Sequence, residues 1–273
     1  MANYSMVEDF EGAAVVASGE KVNEDYDKVY HASNEDLSKL FSNFSVEGKD
    51  VLTVCGSGDQ AFYSYSNGAN EVNIFDINKI AYYYLMLRKW SIEYLGEFYP
   101  PRDSTKNVDW VKNLLNLVQC NNYEEQSVLM FWHLFIKRAS EDNNSNLFYR
   151  IADYNRNNVE DVELLKEKIA GKGFKFLRED ITGDVDKSKK YDVIISSNIL
   201  EYCQGNILKL LRTRDNFRTL LNPGGIVVCS SLIRSQDAES LAFEKTIFNS
   251  SFEREKFSVD EDGKTSGYVY IKK

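Results

Sequence analysis

Residues 51–78 read VLTVCGSGDQAFYSYSNGANEVNIFDIN, and the rest of the chain is organised around them. A short apolar run (Val51, Leu52, Val54) leads into the tight turn Cys55, Gly56, Ser57, Gly58. A stretch of helical character follows, and a second apolar run over 72–75 ends on Asp76. Strand, glycine turn, helix, strand and acid, in that order, form the pattern of a nucleotide-binding βαβ unit. Glycines let the backbone approach a ligand where a Cβ would collide, and the helix start behind them offers free N–H groups. An acid at the second strand's tip accepts from both hydroxyls of a ribose. The spacing Gly56-x-Gly58-x-x-Ala61 also fits a dinucleotide site, so the choice of ligand rests on the remaining residues.

The 273 residues suit one large α/β domain or a domain with an insertion. A content of 43% hydrophobic and 13% aromatic residues fills a real core and argues against global disorder. The net charge of −9 argues against nucleic acid as partner, because a phosphate backbone selects a basic surface. Cys55, Cys120, Cys203 and Cys229 form no C-x-x-C pair, and His31 and His133 stand alone. Free thiols without a metal site are the expectation. Residues 1–12 lack a basic region followed by an apolar core, so no signal peptide is read there. The apolar stretch 128–136 is about half of a membrane span. A cytoplasmic protein with no transmembrane segment is expected.

Residues 1–48 read as an N-terminal helical arm, ahead of one larger domain over 49–273. Within the arm, 24–44 carries apolar residues at Tyr26, Val29, Tyr30, Leu37, Leu40 and Phe41, with Ser33 or Asn34 placed to cap a turn. Residues 27–31 are within reach of a ligand pocket, although packing on the sheet explains them more simply. Residues 78–95 predict a helix that is apolar nearly all round and therefore buried on more than one side. Pro100 and Pro101 end that region. Two more helices are read over 108–117 and 124–139, and an amphipathic one over 159–170 stops at Gly171. The next strand is 174–177. Roughly a hundred residues thus separate strands two and three, where a crossover needs about a dozen to thirty. A helical insertion over about 96–157 accounts for the excess.

Beyond it come a strand at 193–195, a helix at 205–221, a sharp turn at 222–225 and a strand at 226–231. A helix at 235–247 precedes a hairpin over 252–258 and 267–271, turning at Asp262-Gly263. The fold expected is α/β: a Rossmann-like, mostly parallel seven-stranded sheet with a reversed terminal strand.

In such a sheet the ligand lies beyond the carboxyl ends of the strands, which here carry Cys55, Gly56, Ser57, Gly58, Asp76, Asp180, Ser197 and Asn198. Two acids and no G-x-x-x-x-G-K-[ST] motif argue against a triphosphate. An adenosine with a positive centre suits them better: Asp76 takes the ribose hydroxyls, Asp180 the adenine amino group. A sulfonium is tolerated near carboxylates and aromatic faces. At these residues the chain resembles the class I S-adenosylmethionine-dependent methyltransferases. The matching pieces are VLTVCGSG (51–58), NIFDIN (73–78), FLRED (176–180), YDVIISSNILEYC (191–203) and LLNPGGIVVCSS (220–231), together with the terminal hairpin. The likeness covers residues 48–95 and 158–273. It implies S-adenosylmethionine as cofactor, with Gly56, Gly58, Asp76, Asp180 and Asn198 lining its site and Ile77 flanking the adenine. Cys55, Ser57, Ile181 and Ser197 complete the candidate set.

One departure stands out. That family usually carries an acid just before the glycines, where this chain has Thr53-Val54. How the methionyl amino group is held, and which group is transferred, stay open. CGSGDQAF, FDIN and the helical insertion are also similar to the aminocarboxypropyl transferases of betaine-lipid synthesis.

Glu201 and Tyr202 follow the fourth strand, where an acceptor would approach, and either can act as a base or orient it; packing and capping explain them nearly as well. Asp59 suits the start of a helix through the helix dipole. Methyl transfer from a sulfonium needs alignment and exclusion of water, and a base only for a protonated acceptor. Residues 196–202 lack the Asn/Asp-Pro-Pro-Tyr of amino-methylating nucleic-acid enzymes. With the acidic charge, this favours a small-molecule, lipid-like or peptide acceptor. A methyltransferase with a helical lid leads; an aminocarboxypropyl transferase and a non-catalytic S-adenosylmethionine-binding module follow, ahead of a nicotinamide dehydrogenase.

Overall fold

The computed structural model describes residues 32–33, 35–100, 104–141, 161–197, 199–203, 206–232, 247–248, 250–258 and 265–273. Its strands are β1 (Asp50–Val54), β2 (Glu71–Phe75), β3 (Lys175–Leu177), β4 (Tyr191–Ser197), β5 (Leu221–Leu232), β6 (Phe252–Ser258) and β7 (Thr265–Lys272). Helices are α1 (Leu37–Phe41), α2 (Asp59–Ser66), α3 (Lys79–Leu95), α4 (Ser104–Leu115), α5 (Tyr123–Glu141), α6 (Val162–Ile169) and α7 (Ile207–Leu220), with a 3-10 turn at Ile199–Cys203. Contacts divide the chain into two compact units. Ser33–Cys55, Asp59–Ile77 and Gly171–Lys273 make a sheet unit, while Gly56–Gly58 and Asn78–Ala170 fall into a helical one.

In the sheet unit the strand order is β3-β2-β1-β4-β5-β7-β6. Val51 pairs with Val72 and with Val193 in parallel, so the carboxyl ends of the interior strands emerge on one edge. Val51, Leu52, Ile194 and Ile195 are fully buried, as strands covered on both faces must be. The reversed strand is β7, which pairs antiparallel with β5 (Val228 with Val269) and with β6 (Glu255 with Val269). The predicted α/β sheet with a reversed terminal strand is therefore present. Its core joins Leu52, Ile194, Phe217, Val227, Phe248 and Tyr270, with the last two rings 4.9 Å apart.

Two details differ from expectation. β5 starts at Leu221, before the Asn222–Gly225 turn: Leu221 pairs with Tyr191 and Ile226 with Val193, so four residues bulge opposite Asp192. A Cβ on Gly225 would stand 3.0 Å from the carbonyl oxygens of Asn222 and Asp192, which explains the glycine. Asn222 Nδ2 donates to Asp192 Oδ1 at 2.8 Å, and Asp192 Oδ2 accepts from the Asp50 amide at 3.0 Å. This motif braces the amino ends of β1, β4 and β5. The second difference is α1, which has five residues and is capped by Asp36 rather than by Ser33 or Asn34. Ser33 and Glu35 are committed to other partners, described below. Residues 24–31, the expected helix over 235–246 and the hairpin turn at Asp262-Gly263 lie outside the described residues.

The helical unit is built on α3. Asn78 caps its start by accepting from the Ile80 amide, and Gly96 ends it at φ 68°. Every residue over 80–92 is buried, as the all-round apolar pattern predicts. Phe131 of α5 packs 4.4 Å from Tyr83, and Trp132 Nε1 donates to the Tyr83 carbonyl at 3.0 Å. Among the described residues of the insertion between β2 and β3, α4 and α5 are helical, as expected. No helix among the described residues is long and apolar enough to cross a membrane.

Candidate functional site at the carboxyl edge of the sheet

β1 and β2 end side by side. The Cys55 amide donates to the Phe75 carbonyl at 2.9 Å, and the Asp76 amide to the Leu177 carbonyl at 3.2 Å. Cys55, Asp76 and the end of β3 are thereby brought together, as expected. Cys55 is buried, Asp76 half-buried, and Ile77 is an exposed apolar side chain directly after it.

Gly56 and Gly58 both adopt positive φ, 48° and 86°. A Cβ on Gly58 would meet the Leu85 side chain at 3.1 Å, whereas one on Gly56 would meet no atom within 4 Å. Gly58 is therefore a packing glycine, and Gly56 leaves open space where a side chain would project. Between them, the buried Ser57 gives its carbonyl to Arg88 Nη1 of α3 at 2.6 Å. That guanidinium is fully buried, donates through Nε to the Phe98 carbonyl and lies 4.5 Å from the ring centres of Phe98 and Tyr99. Buried charge is retained only where such groups satisfy it. Arg88 was not singled out in the sequence; a cation beside Lys89 in a mostly apolar helix pattern gives no sign of what it holds.

Asp180 is exposed and occupied locally. Its Oδ1 accepts from the Thr182 amide at 2.8 Å and the Thr182 hydroxyl at 2.6 Å, and its carbonyl from the Gly183 amide. Asn216 of α7 secures this turn through the Ile181 and Gly183 carbonyls. The Ile181 side chain points into the core. Next to Asp180, burial pushes the carboxyl of Glu179 above its ordinary value. Glu201 and Tyr202 fall in the 3-10 turn after β4, and Asn198 lies outside the described residues.

Ser197, at the end of β4, has φ 51°, the only positive φ of a non-glycine among the described residues. Its hydroxyl donates to Glu35 Oε1 at 2.7 Å. Glu35 is buried, and the same oxygen accepts from the Ser230 hydroxyl of β5. Gln60 Nε2 of α2 donates to Glu35 Oε2 at 2.5 Å, and Gln60 Oε1 accepts from the Thr53 hydroxyl of β1 at 2.9 Å. The neighbouring Ser33 amide donates to Asp59 Oδ2 at 2.5 Å. Glu35 was missed in the sequence because it belongs to no motif, and its three partners lie 25, 162 and 195 positions away.

No protein-family model matches the chain, and no curated protein matches its sequence. Solved structures of similar shape include the N-methyltransferase NodS from Bradyrhizobium japonicum WM9 in complex with S-adenosyl-l-homocysteine. It is 12% identical at a TM-score of 0.45, over 96% of this chain and 98% of that one. A TehB-like SAM-dependent methyltransferase from Corynebacterium glutamicum is 12% identical at 0.44, over 95% and 92% of the two chains. A methyltransferase from Pyrococcus furiosus is 10% identical at 0.47, over 96% and 97%.

Proposed function

We propose that the chain is an S-adenosylmethionine-dependent methyltransferase acting on a small-molecule or lipid-like acceptor. The observation that carries this reading is the end of β1: a left-handed glycine whose absent side chain leaves open space, with Asp76 ending the adjacent β2. Gly56 admits the backbone to close approach, and Asp76 suits a vicinal diol of ribose. Ile77 offers an exposed apolar surface for the adenine ring. The acidic composition disfavours phosphate-rich ligands and is compatible with a sulfonium. The reversed β7 is also what the resemblance in the sequence implies.

When bound, S-adenosylmethionine supplies an electrophilic methyl group on a good leaving group. The protein's part is to orient it, align the acceptor and keep water out. A second reading, transfer of the aminocarboxypropyl group, is favoured by Thr53: the position before the glycines holds a hydroxyl bound to Gln60 and no acid. Incubation with S-adenosylmethionine and candidate acceptors separates the two. S-adenosylhomocysteine is the product expected, and methylthioadenosine in its place would establish the second reading. Calorimetry on Asp76→Ala is expected to show affinity lowered about tenfold or more, since a charge-assisted hydrogen bond is lost. Unchanged affinity would remove Asp76 from the site, and tight NAD binding with none of S-adenosylmethionine would overturn the cofactor.

A further inference from the structure

Glu35 sits outside every motif in the chain, yet its carboxylate gathers side chains from α2, β4 and β5 and, through Gln60, from β1. Four separate elements of the sheet unit thus meet on one buried acid. The most informative of these contacts is with Ser197. A left-handed backbone is costly for any residue with a Cβ, and persists only where surrounding structure holds it. Here the holding contact is visible: the Ser197 hydroxyl donates to Glu35 Oε1. The pairing of β4 with β5 is irregular at the same point, with a register shift between Ile195 and Ser197. Such irregularities re-aim a chain at the end of a strand.

The segment bearing Glu35 is itself fastened, since the Glu35 amide donates to Ser33 Oγ at 3.2 Å and the Ser33 amide to the buried Asp59 at the start of α2. Ser33 and Glu35 therefore tie β4 and β5 to the start of α2, the helix that follows the glycine turn assigned to the cofactor.

We propose that Glu35 is a positioning residue for ligand binding at this edge: it holds Ser197 in its left-handed conformation and sets the direction in which the chain leaves β4. This rests on the proposed function for the identity of the ligand, and on Ser197 alone for the conformational claim. It requires no direct contact between Glu35 and the ligand.

The test uses the full chain with Glu35→Gln, Glu35→Ala, Ser197→Gly and the double variant Glu35→Ala/Ser197→Gly. Affinity for S-adenosylmethionine is measured by calorimetry, and the backbone conformation of residue 197 by its three-bond amide–Hα coupling and Cα shift. Glu35→Ala is expected to weaken binding about tenfold, the scale of a lost left-handed conformation, and to move the residue 197 signals toward extended values. Glu35→Gln, which keeps an acceptor for Ser197, should retain more affinity than Glu35→Ala. Glycine enters the left-handed region without strain, so the double variant should bind more tightly than Glu35→Ala alone. A merely structural Glu35 would lower the melting temperature in both alanine variants, with no recovery of affinity on adding glycine; that result overturns the proposal. If the native chain binds no S-adenosylmethionine, the cofactor reading falls, and the signals of residue 197 decide this one: unchanged in Glu35→Ala, they overturn it.

Discussion

Gly56 and Gly58 stand two residues apart in one turn, and a methyl group added to each would meet different surroundings. On Gly58 it would press on Leu85 at a φ of 86°; on Gly56, at a φ of 48°, it would enter open space. Gly58→Ala should therefore cost about 2–4 kcal/mol of stability through backbone strain and crowding together. Gly56→Ala should cost about 1–2 kcal/mol, the strain alone, and in addition weaken S-adenosylmethionine about tenfold or more. Urea unfolding and calorimetry on both variants check this, and a Gly56→Ala protein with native affinity would show that the open space is unused. At this scale the sequence is legible where chemistry follows short spacing, as in the glycine turn and Asp76. Arg88, Glu35 and the left-handed backbone of Ser197, itself a candidate residue, were invisible, because their meaning lies in partners elsewhere along the chain. Asp180 is a middle case: its place after β3 was foreseen, while its service to Thr182 was not.

Helices and strands with strong patterns and defined ends were read closely. α3 shows why: a capping asparagine, a body apolar nearly all round and a left-handed glycine at its end all agree. Asn78→Ala should remove one cap and lower stability by about 1 kcal/mol, seen as a drop in melting temperature; no change would mean that the first turn is held by packing alone. β5 was misread at its start because a Pro-Gly-Gly sequence signals a turn, and only pairing with β4 reveals that the strand has already begun. Among the described residues 32–33 and 35–44, helix is confined to α1, since Ser33 and Glu35 spend their hydrogen-bonding groups on α2, β4 and β5.

Across the sheet unit, burial raises the phenols of Tyr65 and Tyr191 above their ordinary value of 10.0. Tyr191 is buried with its hydroxyl 3.0 Å from the side-chain amide group of Asn73. The unfolded chain releases these protons first as pH rises, so the folded state binds more protons in that range. The stability they confer is complete below the ordinary phenol value and declines as pH climbs through the raised folded values. Tyr191→Phe should make the alkaline decline in melting temperature shallower, despite a loss at neutral pH of about 1 kcal/mol for the hydrogen bond. An equally steep decline would place the alkaline sensitivity elsewhere. The α/β class, the reversed final strand and the β6–β7 hairpin were readable from the order of strand and helix patterns; the lateral order of the other strands was not, because apolar runs do not name their neighbours.

That lateral order bears on how the chain is made. β7 lies between β5 and β6, and among the described residues it is the only strand on which β6 pairs. A ribosome releases β6 first, so that strand must wait beside an incomplete sheet, its amides and carbonyls answered by water, until β7 has emerged. Docking of one late strand then joins both neighbours at once. The closing step of folding thus couples a local hairpin to a long-range pairing with β5, and a chain truncated just short of residue 265 would leave the edge of β5 and the whole of β6 open to aggregation.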